Sequence, residues 1–496
     1  MAEAAWSETL ESLAADTLRP TDPRPSFKPS LAHKFLYSLG QFAQSGAFDT
    51  AIPFVFFYYT VVLGLSGGEV GLAISVSLVF DAIVDPLVGS ISDNLRTRLG
   101  RRLPLMLAGA PLIPLTLGML FAPPHGLSPA ALTVWLAVSC ILARSAVSLF
   151  NVPYFALGAE MTEDYQERSS VVAWRAIVGI LAGLVINVAA FGLFFVGSAG
   201  LQRMSAYPGF GWMVGCLVGV MTAICALGLM RYAARLPQPA ERPSPLISGL
   251  PVEIADIWRN ASFRRLFISA VVFYVAVGLN ATFGNHTAVF VWRLPTAQIQ
   301  FLAYAFLAGL FLGAGAAPQV SRRLEKKTMV IIGLWTVVFV WAVLPGLRVL
   351  HLFMPTGSAA TVPLMVNSLV AGLGMGLAVV AYPSMMADAA DEHEYLYGSR
   401  REGLFFAGLA FAAKAAGGLG VLVAGFALDL IGFPHETGGL IPGAVPEPVL
   451  QRLMLVYGPG VALLCLGSII IFSPYGISRA RHAQVAAALA ERRTSS

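Results

Sequence analysis

Two carboxylates four residues apart, Asp81 and Asp85, are the residues of this chain best placed to do chemistry. On a helix, that spacing puts both side chains on one face, with Cβ atoms about 6 Å apart. Two like charges this close in an apolar setting either share a proton or recruit a cation. We therefore predict a cation site at Asp81 and Asp85 that takes a proton or sodium, a hard ion that prefers oxygen ligands.

Further polar and ionisable residues lie within apolar segments, where an ionisable side chain is costly and usually faces a cavity. Arg144, Ser148 and Asn151 follow a spacing of four and three, so they share one helix face. Ser148 either lends its hydroxyl to the cation or bonds back onto its own helix. The other intramembrane charges are Asp49, Arg175 and Lys414. We expect this set to line the cavity that binds a substrate.

The intramembrane charges also admit a purely structural interpretation. Three acidic side chains face three basic ones, and such a set neutralises itself if every member is paired. In the narrowest form of this alternative, Asp81 and Asp85 simply form ion pairs with Arg144 or Lys414. Ion pairing of this kind does not exclude cation binding, so both interpretations stay open at the level of sequence.

Another cluster of charges follows the paired carboxylates. Asp93 comes four residues after Gly89, and Gly100, Arg101 and Arg102 follow between two apolar segments. An aspartate near a helix end can pair with arginines when a passage is shut, and release them when it opens. We therefore predict that Asp93, Arg101 and Arg102 gate the passage and do not contact the substrate.

These residues must be positioned by helices that cross a membrane. Of the 496 residues, 57% are hydrophobic and 12% are charged, and the mean hydropathy is +0.73, whereas a soluble chain has about 25% charged residues. Apolar segments long enough to span a bilayer recur along the whole chain. They fall at 36–62, 69–93, 103–122, 129–158, 170–197, 210–233, 265–292, 297–320, 328–350, 359–388, 402–432 and 447–475. We predict an all-α integral membrane protein with twelve transmembrane helices.

The basic residues indicate how these helices are oriented. The formal net charge is +5, but the basic residues are scattered between apolar segments, which argues against a nucleic-acid partner. If both termini are cytosolic, Lys and Arg concentrate in the cytosolic loops, as they do in membrane proteins generally. The only Lys and Arg residues of the loops on the other side are then Arg203, Arg293, Arg348 and Arg452. We expect a multi-pass protein of the cell membrane with both termini in the cytosol.

The chain divides into two related halves. Pro153 and Tyr154 precede a run of acidic residues, and Tyr382 and Pro383 precede another at an offset of roughly 225 to 230 residues, as expected for two parallel six-helix bundles. A proline-rich stretch between them is typical of a linker. The predicted parts are a cytosolic tail at 1–32, a first bundle at 33–235, a linker at 236–262, a second bundle at 263–476 and a tail at 477–496. Alternating access between the halves is the expected mechanism.

The paired carboxylates belong to a longer string. It reads Asp81-Ala-Ile-Val-Asp85-Pro86-Leu-Val-Gly89, followed by Asp93 and by Gly100-Arg101-Arg102-Leu-Pro104. Together with Val152-Pro153-Tyr154 and with residues 387–414, this string resembles the glycoside/pentoside/hexuronide:cation symporters, the melibiose permease-like branch of the major facilitator superfamily. The resemblance covers both halves. It implies the major facilitator fold, with twelve helices in two pseudo-symmetric six-helix bundles, and cation-coupled transport.

The resemblance also implies roles for individual residues. Asp81 and Asp85 match the cation-binding carboxylates of the family, and Ser148 stands where melibiose permeases have a threonine that contributes to the cation site. Arg175 and Lys414 match an arginine and a lysine of the cavity. These correspondences make the paired carboxylates a sodium site if the coupling ion is not a proton.

Other positions depart from the melibiose-type pattern. Ser45 and Asn151 stand where the sugar-specific relatives have carboxylates, and Arg144 stands where a small residue is usual. Asp49, one turn beyond Ser45, is expected to replace one of the lost carboxylates. Charged acceptors hold sugar hydroxyls best, so these losses argue against a neutral galactoside. Three basic groups in the cavity favour a polyhydroxylated solute or one with an anionic group.

The leading interpretation is a secondary transporter that carries a sugar, a glycoside or a sugar acid in symport with sodium or a proton by alternating access. The alternative is a sodium-coupled carrier of a lysophospholipid-like or other anionic amphiphile, because the same branch includes such carriers. An integral-membrane enzyme that modifies lipids is disfavoured, since no nucleophile, base and acid set can be assembled from the sequence. We expect a monomer with no cofactor besides the coupling ion. Its expected partners are a small-molecule substrate, the cation and membrane lipid.

Overall fold

The computed structural model describes residues 29–162, 164–197, 199–236, 250–398, 402–435, 440 and 443–495. Helices dominate these residues, and no strand occurs among them. Within the described ranges, twelve helices are long and apolar enough to cross a membrane, which confirms the predicted number. They are α1 (Leu31–Val62), α2 (Gly67–Asn94), α3 (Leu103–Phe121), α4 (Pro129–Glu160), α5 (Ser170–Phe194), α6 (Ala206–Gly228), α7 (Ala261–Val291), α8 (Thr296–Arg323), α9 (Lys326–Val349), α10 (Ser358–Tyr397), α11 (Gly403–Leu430) and α12 (Glu447–Phe472).

Local sequence signals fix where several of these helices begin and end. The Ser66 hydroxyl accepts a hydrogen bond from the Glu69 amide, and the Glu69 carboxylate accepts one from the Ser66 amide. This reciprocal pair satisfies two amides at the start of α2. Asn260 caps α7 by accepting a hydrogen bond from the Phe263 amide at 2.7 Å. Gly398, with a φ of +75°, ends α10 in the left-handed conformation that glycine adopts without strain.

The first helix departs from regular α geometry where predicted site residues lie. A wider π-type turn runs from Ser45 to Thr50, and the Thr50 hydroxyl donates a hydrogen bond to the Ser45 carbonyl at 2.9 Å. Pro53 has no amide hydrogen to donate to the Asp49 carbonyl, so the regular ladder is interrupted just after this turn. Single π turns inside helices are frequent at functional sites. Here the turn carries Ser45 and Asp49.

The twelve helices form two bundles of six, α1–α6 and α7–α12. Two shorter helices accompany them. A linker helix, Leu250–Trp258, lies in the segment predicted as a linker, and a terminal helix, Arg479–Ser495, lies in the predicted C-terminal tail. Sequence analysis missed both because they are too short to span a bilayer. Residues 1–28 and 237–249, which hold most of the predicted N-terminal tail and part of the linker, lie outside the described residues.

The contacts between the two bundles are not spread evenly along the membrane normal. We call the face at which α1 begins and α12 ends the terminal face, and the other the opposite face. Hydrogen bonds and ion pairs join the bundles at the level of Lys414 and closer to the opposite face. These contacts close the passage between the bundles at the opposite face.

Candidate functional site

Asp81 lies where α2, α4 and α11 meet, and it connects both bundles. Its side chain is buried, with 5% exposed. One oxygen, Oδ2, lies 3.1 Å from Nη1 of Arg144 on α4 and 2.8 Å from Nζ of Lys414 on α11. The other, Oδ1, accepts a hydrogen bond from the Ser148 hydroxyl at 3.2 Å. The structure thus brings together four of the predicted site residues, and both oxygens of this carboxylate are engaged.

Asp85 lies one turn further along α2 and shares Lys414 with Asp81. Nζ of Lys414 donates to Oδ2 of Asp85 at 2.7 Å. The other oxygen, Oδ1, is buried and has no hydrogen-bond partner among the described residues. In the described part of the chain, Lys414 is the residue whose ion pairs join the two bundles. Its position makes the paired carboxylates sensitive to any movement of one bundle against the other.

Arg144 is held in place by two residues that sequence analysis missed. Its Nε donates to the Ser77 hydroxyl at 2.8 Å, and its guanidinium lies 4.5 Å from the centre of the Phe48 ring, a distance typical of a cation–π contact. Ser77 precedes Asp81 by four residues, so its place on the same face of α2 could have been found from spacing alone. Phe48 offered no signal, because one phenylalanine among many in an apolar segment is unremarkable in sequence.

A second polar network lies on α1 and α4. The amide of Gln44 donates to Oδ1 of Asp49 at 3.1 Å, and the amide of Asn151 donates to Oε1 of Gln44 at 3.3 Å. Gln41 donates to the Ser45 hydroxyl at 3.3 Å. Three predicted substrate-binding residues therefore belong to one region of the first bundle, connected through two glutamines that sequence analysis did not single out. Both glutamines are neutral, so no intramembrane charge distinguishes them in the sequence.

Arg175 lies on α5, and its surroundings differ from those of the other two predicted cavity cations. Its guanidinium carbon lies 5.0 Å from the centre of the Phe155 ring. It forms no ion pair with any residue that the structure describes, whereas Arg144 and Lys414 are both paired with aspartates. The self-neutralising alternative therefore holds for two of the three basic groups. The charge of Arg175 has no acidic partner among the described residues.

The arrangement around Asp81 does not fit a sodium ion. A hard cation requires several oxygen ligands that are free to coordinate it, but both Asp81 oxygens and one Asp85 oxygen already contact nitrogen or hydroxyl donors. Two carboxylates are balanced by one guanidinium and one ammonium group, so an added cation would leave a positive charge uncompensated in a buried site. The sodium-binding role of Asp81, Asp85 and Ser148 stays a prediction that this geometry does not support.

The predicted gating residues gather at the terminal face, within the first bundle. Arg102 forms an ion pair with Asp93 and a second one with Glu160 at 2.7 Å, and it donates to the Ser92 hydroxyl at 3.0 Å. Arg101 contacts the same glutamate at 2.8 Å. This cluster ties the ends of α2 and α4 to the loop before α3. Its role as a gate stays a prediction.

At the opposite face, an aspartate of one bundle caps a helix of the other. The Asp429 carboxylate, near the end of α11, accepts hydrogen bonds from the amides of Gly67 at 2.7 Å and Gly68 at 2.8 Å. These amides belong to the first turn of α2, where the helix dipole favours a negative charge. Thr60 and His286 add a buried contact of 3.1 Å between α1 and α7. Sequence analysis did not single out Asp429, because an aspartate at a helix end is unremarkable until its partner is known.

Replacing Asp429 with alanine is expected to loosen the opposite face. Loss of a capping side chain costs about 1 kcal/mol, which corresponds to a several-fold shift toward the form open at this face. The measurement is the rate at which an impermeant maleimide, added on that side, labels a cysteine placed at Ser75 between α2 and α11, with the exposed Cys216 replaced. Glu447→Gln is the control, because Glu447 pairs with Arg348 inside the second bundle. Equal labelling in wild type and Asp429→Ala would contradict a closing role for Asp429.

Comparisons with known proteins point to transporters. A family model described as MFS/sugar transport protein matches residues 36–479. The chain is 26% identical to the inner membrane symporter YicJ of Escherichia coli (strain K12), over 83% of each chain. It is 27% identical to the glucuronide carrier protein homolog of the same organism, over 80% of this chain and 83% of that one. It is 24% identical to the isoprimeverose transporter of Lactiplantibacillus pentosus, over 81% of each.

Solved structures show the same architecture. The nucleoside transporter NupG superposes with a TM-score of 0.59 at 16% sequence identity, and the match covers 89% of this chain and 98% of that one. At this identity, the likeness concerns the fold alone. It agrees with the two bundles of six helices and with a passage between them.

Proposed function

Since the chain belongs to the MFS/sugar transport protein family, we propose that it carries a sugar acid or a related glycoside across the membrane in symport with a cation. Membership confirms the resemblance to the cation-coupled sugar symporters, and it makes the chain a multi-pass membrane transporter rather than an enzyme. The substrate and the coupling ion are the parts of the proposal that go beyond membership.

One observation supports an anionic substrate above all others: Arg175 forms no ion pair with the described residues, while the other cavity cations are neutralised. A carboxylate on a sugar would complement this guanidinium through charge-assisted hydrogen bonds, which are about twice as strong as neutral ones. The neutral donors and acceptors of Gln44, Ser45 and Asn151 suit sugar hydroxyls. A relative named as a glucuronide carrier protein homolog is consistent with this choice.

Movement of the bundles supplies the transport step in this proposal. With the opposite face closed, substrate exchanges with solvent at the terminal face, and closing of that face requires the bundles to rock about the level of Lys414. The cation of the symport raises the affinity for substrate, and by linkage the substrate raises the affinity for the cation by the same factor. We also propose that the terminal face is cytosolic, because Lys and Arg concentrate in its loops.

An anionic amphiphile would satisfy Arg175 as well, because its head group is also negatively charged. We prefer the sugar acid, since the relatives compared above include carriers named for a glucuronide and for isoprimeverose, and none is named for a lipid. The test described next separates the two classes.

The experiment is uptake by proteoliposomes of methyl β-D-glucuronide and of methyl β-D-glucoside, two probes that differ only in a carboxylate against a hydroxymethyl group. We expect concentrative uptake of the glucuronide under an imposed cation gradient, and at least about tenfold weaker uptake of the glucoside, because one charge-assisted hydrogen bond contributes about 1.5–3 kcal/mol. Competition by a lysophospholipid in the same assay tests the amphiphile.

Three outcomes would contradict the proposal. Equal uptake of the two glycosides would show that the negative charge of the substrate is not recognised. If no imposed ion gradient makes uptake concentrative, the protein does not work by symport. Labelled methyl β-D-glucuronide is the transported probe in this comparison. If the lysophospholipid inhibits its uptake at concentrations at which unlabelled glucuronide does not, the result would favour the amphiphile.

A further inference from the structure

Arg144 and Asp81 form a pair that differs from an ordinary surface ion pair in its burial and in its supports. Their side chains are 8% and 5% exposed. The guanidinium contacts Asp81 through Nη1 at 3.1 Å, donates to Ser77 through Nε at 2.8 Å and lies over the Phe48 ring. Hydrogen bonds and a ring thus fix its position next to the carboxylate. A group held in this manner does not exchange freely with ions from solution.

The basic groups next to Asp81 differ in what happens to them when the bundles move. Lys414 belongs to the second bundle, and 35% of its side chain is exposed. Rocking of the bundles moves Lys414 relative to Asp81. Arg144 belongs to the first bundle, as do Asp81, Ser77, Ser148 and Phe48. A rigid movement of that bundle leaves their contacts intact, so Arg144 neutralises Asp81 throughout the cycle.

From this we infer that Arg144 is a built-in cation that occupies the sodium position at Asp81, so that the wild-type protein does not bind sodium there. Arg144 is then the residue that determines ion selectivity, and sodium is not the coupling ion of this chain. The inference builds on the proposed symport, because it concerns which cation drives it. It requires nothing about the substrate.

The inference makes a definite statement about what Arg144 excludes. Removing the guanidinium leaves the Ser77 hydroxyl without the Arg144 donor and leaves Oδ2 of Asp81 with Lys414 alone, next to the Ser148 hydroxyl that already contacts Asp81 at 3.2 Å. Three oxygen-bearing side chains of one bundle then surround the vacated volume. Such a set, completed by water, is the kind of environment that a hard cation binds. Arg144→Ala should therefore gain a sodium site.

The experiment uses purified full-length protein and no substrate. Binding of radioactive sodium and the thermal unfolding midpoint are measured in sodium chloride against choline chloride of equal ionic strength. We expect no difference between the two salts for wild type. For Arg144→Ala we expect several-fold more bound sodium and a higher midpoint in sodium chloride, since a ligand that binds only the folded protein stabilises it. The gain should disappear in Arg144→Ala combined with Asp81→Asn.

Two further variants keep the test decisive. Arg144→Gln replaces the charged side chain with a shorter neutral one. It takes the place of Arg144→Ala in the test if the alanine variant does not fold. Arg175→Ala removes the other arginine of the cavity, which does not contact Asp81, and should stay insensitive to sodium. If wild type binds sodium and Asp81→Asn abolishes that binding, the inference is overturned, because sodium would then bind at Asp81 in the presence of Arg144. A folded Arg144 variant that gains no sodium binding would also overturn it.

Failure here and failure of the proposed function can be told apart. If wild type binds sodium at Asp81 and still concentrates methyl β-D-glucuronide, the inference fails and the proposed function stands. If Arg144→Ala gains sodium binding but neither glycoside is transported, the inference stands and the proposed substrate fails.

Discussion

Replacing Lys414 with alanine is expected to abolish concentrative uptake of methyl β-D-glucuronide while the protein still inserts into the membrane. Lys414 contacts Asp81 at 2.8 Å and Asp85 at 2.7 Å. Its removal leaves Asp85 without its cationic partner and removes the ion pairs that join the bundles among the described residues. Breaking a buried pair from one side costs about 3–5 kcal/mol. A cost at the lower end, which suits a partly exposed lysine, corresponds to about a hundredfold in the equilibrium for the conformation that holds these pairs. We expect uptake to fall because that conformation is depleted.

Two variants separate the charge of Lys414 from the stability lost when Asp85 is left unpaired. Lys414→Arg keeps the charge and should retain a measurable part of the activity. Lys414→Ala combined with Asp85→Ala removes the uncompensated carboxylate. It should recover the unfolding midpoint of wild type without recovering uptake, because the Lys414 ion pairs between the bundles are still missing. Uptake by Lys414→Ala within twofold of wild type would show that the bundles communicate by another route.

Replacing Arg175 with glutamine is expected to remove the preference for an anionic substrate. The apparent dissociation constant for methyl β-D-glucuronide should rise by about ten- to a hundredfold, because hydrogen bonds to charged groups contribute about 1.5–3 kcal/mol. The constant for methyl β-D-glucoside should change by less than about twofold, since that probe offers no charge to lose. Both constants can be measured by competition in the proteoliposome assay.

Arg203→Gln is the matched control for Arg175→Gln. Arg203 is also a basic residue of the first bundle, but it precedes α6 and donates to the Phe194 carbonyl at 2.7 Å, away from the intramembrane charges. Its replacement should change neither constant. If Arg175→Gln weakens both probes equally, Arg175 supports the shape of the cavity instead of recognising a carboxylate.

Much of the architecture could be predicted because it depends on short-range patterns. Apolar segments near 20 residues long determine the number of spans, and a spacing of four residues places Asp81 and Asp85 on one face of α2. The costly intramembrane charges also pointed to the region of the site. Arg144, Ser148 and Lys414 do meet Asp81, although which of them pair with it follows from the packing of α2, α4 and α11.

The missed residues share a different property, because their roles depend on contacts between distant helices. Gln44 and Phe48 act through partners on α4, and Asp429 acts on α2 of the other bundle. A neutral glutamine, a phenylalanine or an aspartate at a helix end has no distinguishing feature until its neighbour is known. The π turn of α1 was missed for a related reason, since an apolar pattern predicts that a helix exists but not how it is wound.

The terminal helix has a practical consequence for observing the protein at work. α10 has 40 residues, so it is about 60 Å long and must project beyond the hydrocarbon layer of about 30 Å. The terminal helix packs against it through Arg492, which donates to the Tyr395 carbonyl at 3.1 Å, and through His482, which lies 3.1 Å from Asp391. A fluorophore at the exposed Ala487 would therefore move with the second bundle as one body. Paired with a second dye at Asn94, the exposed last residue of α2, it would report the rocking of single molecules as a change in energy transfer.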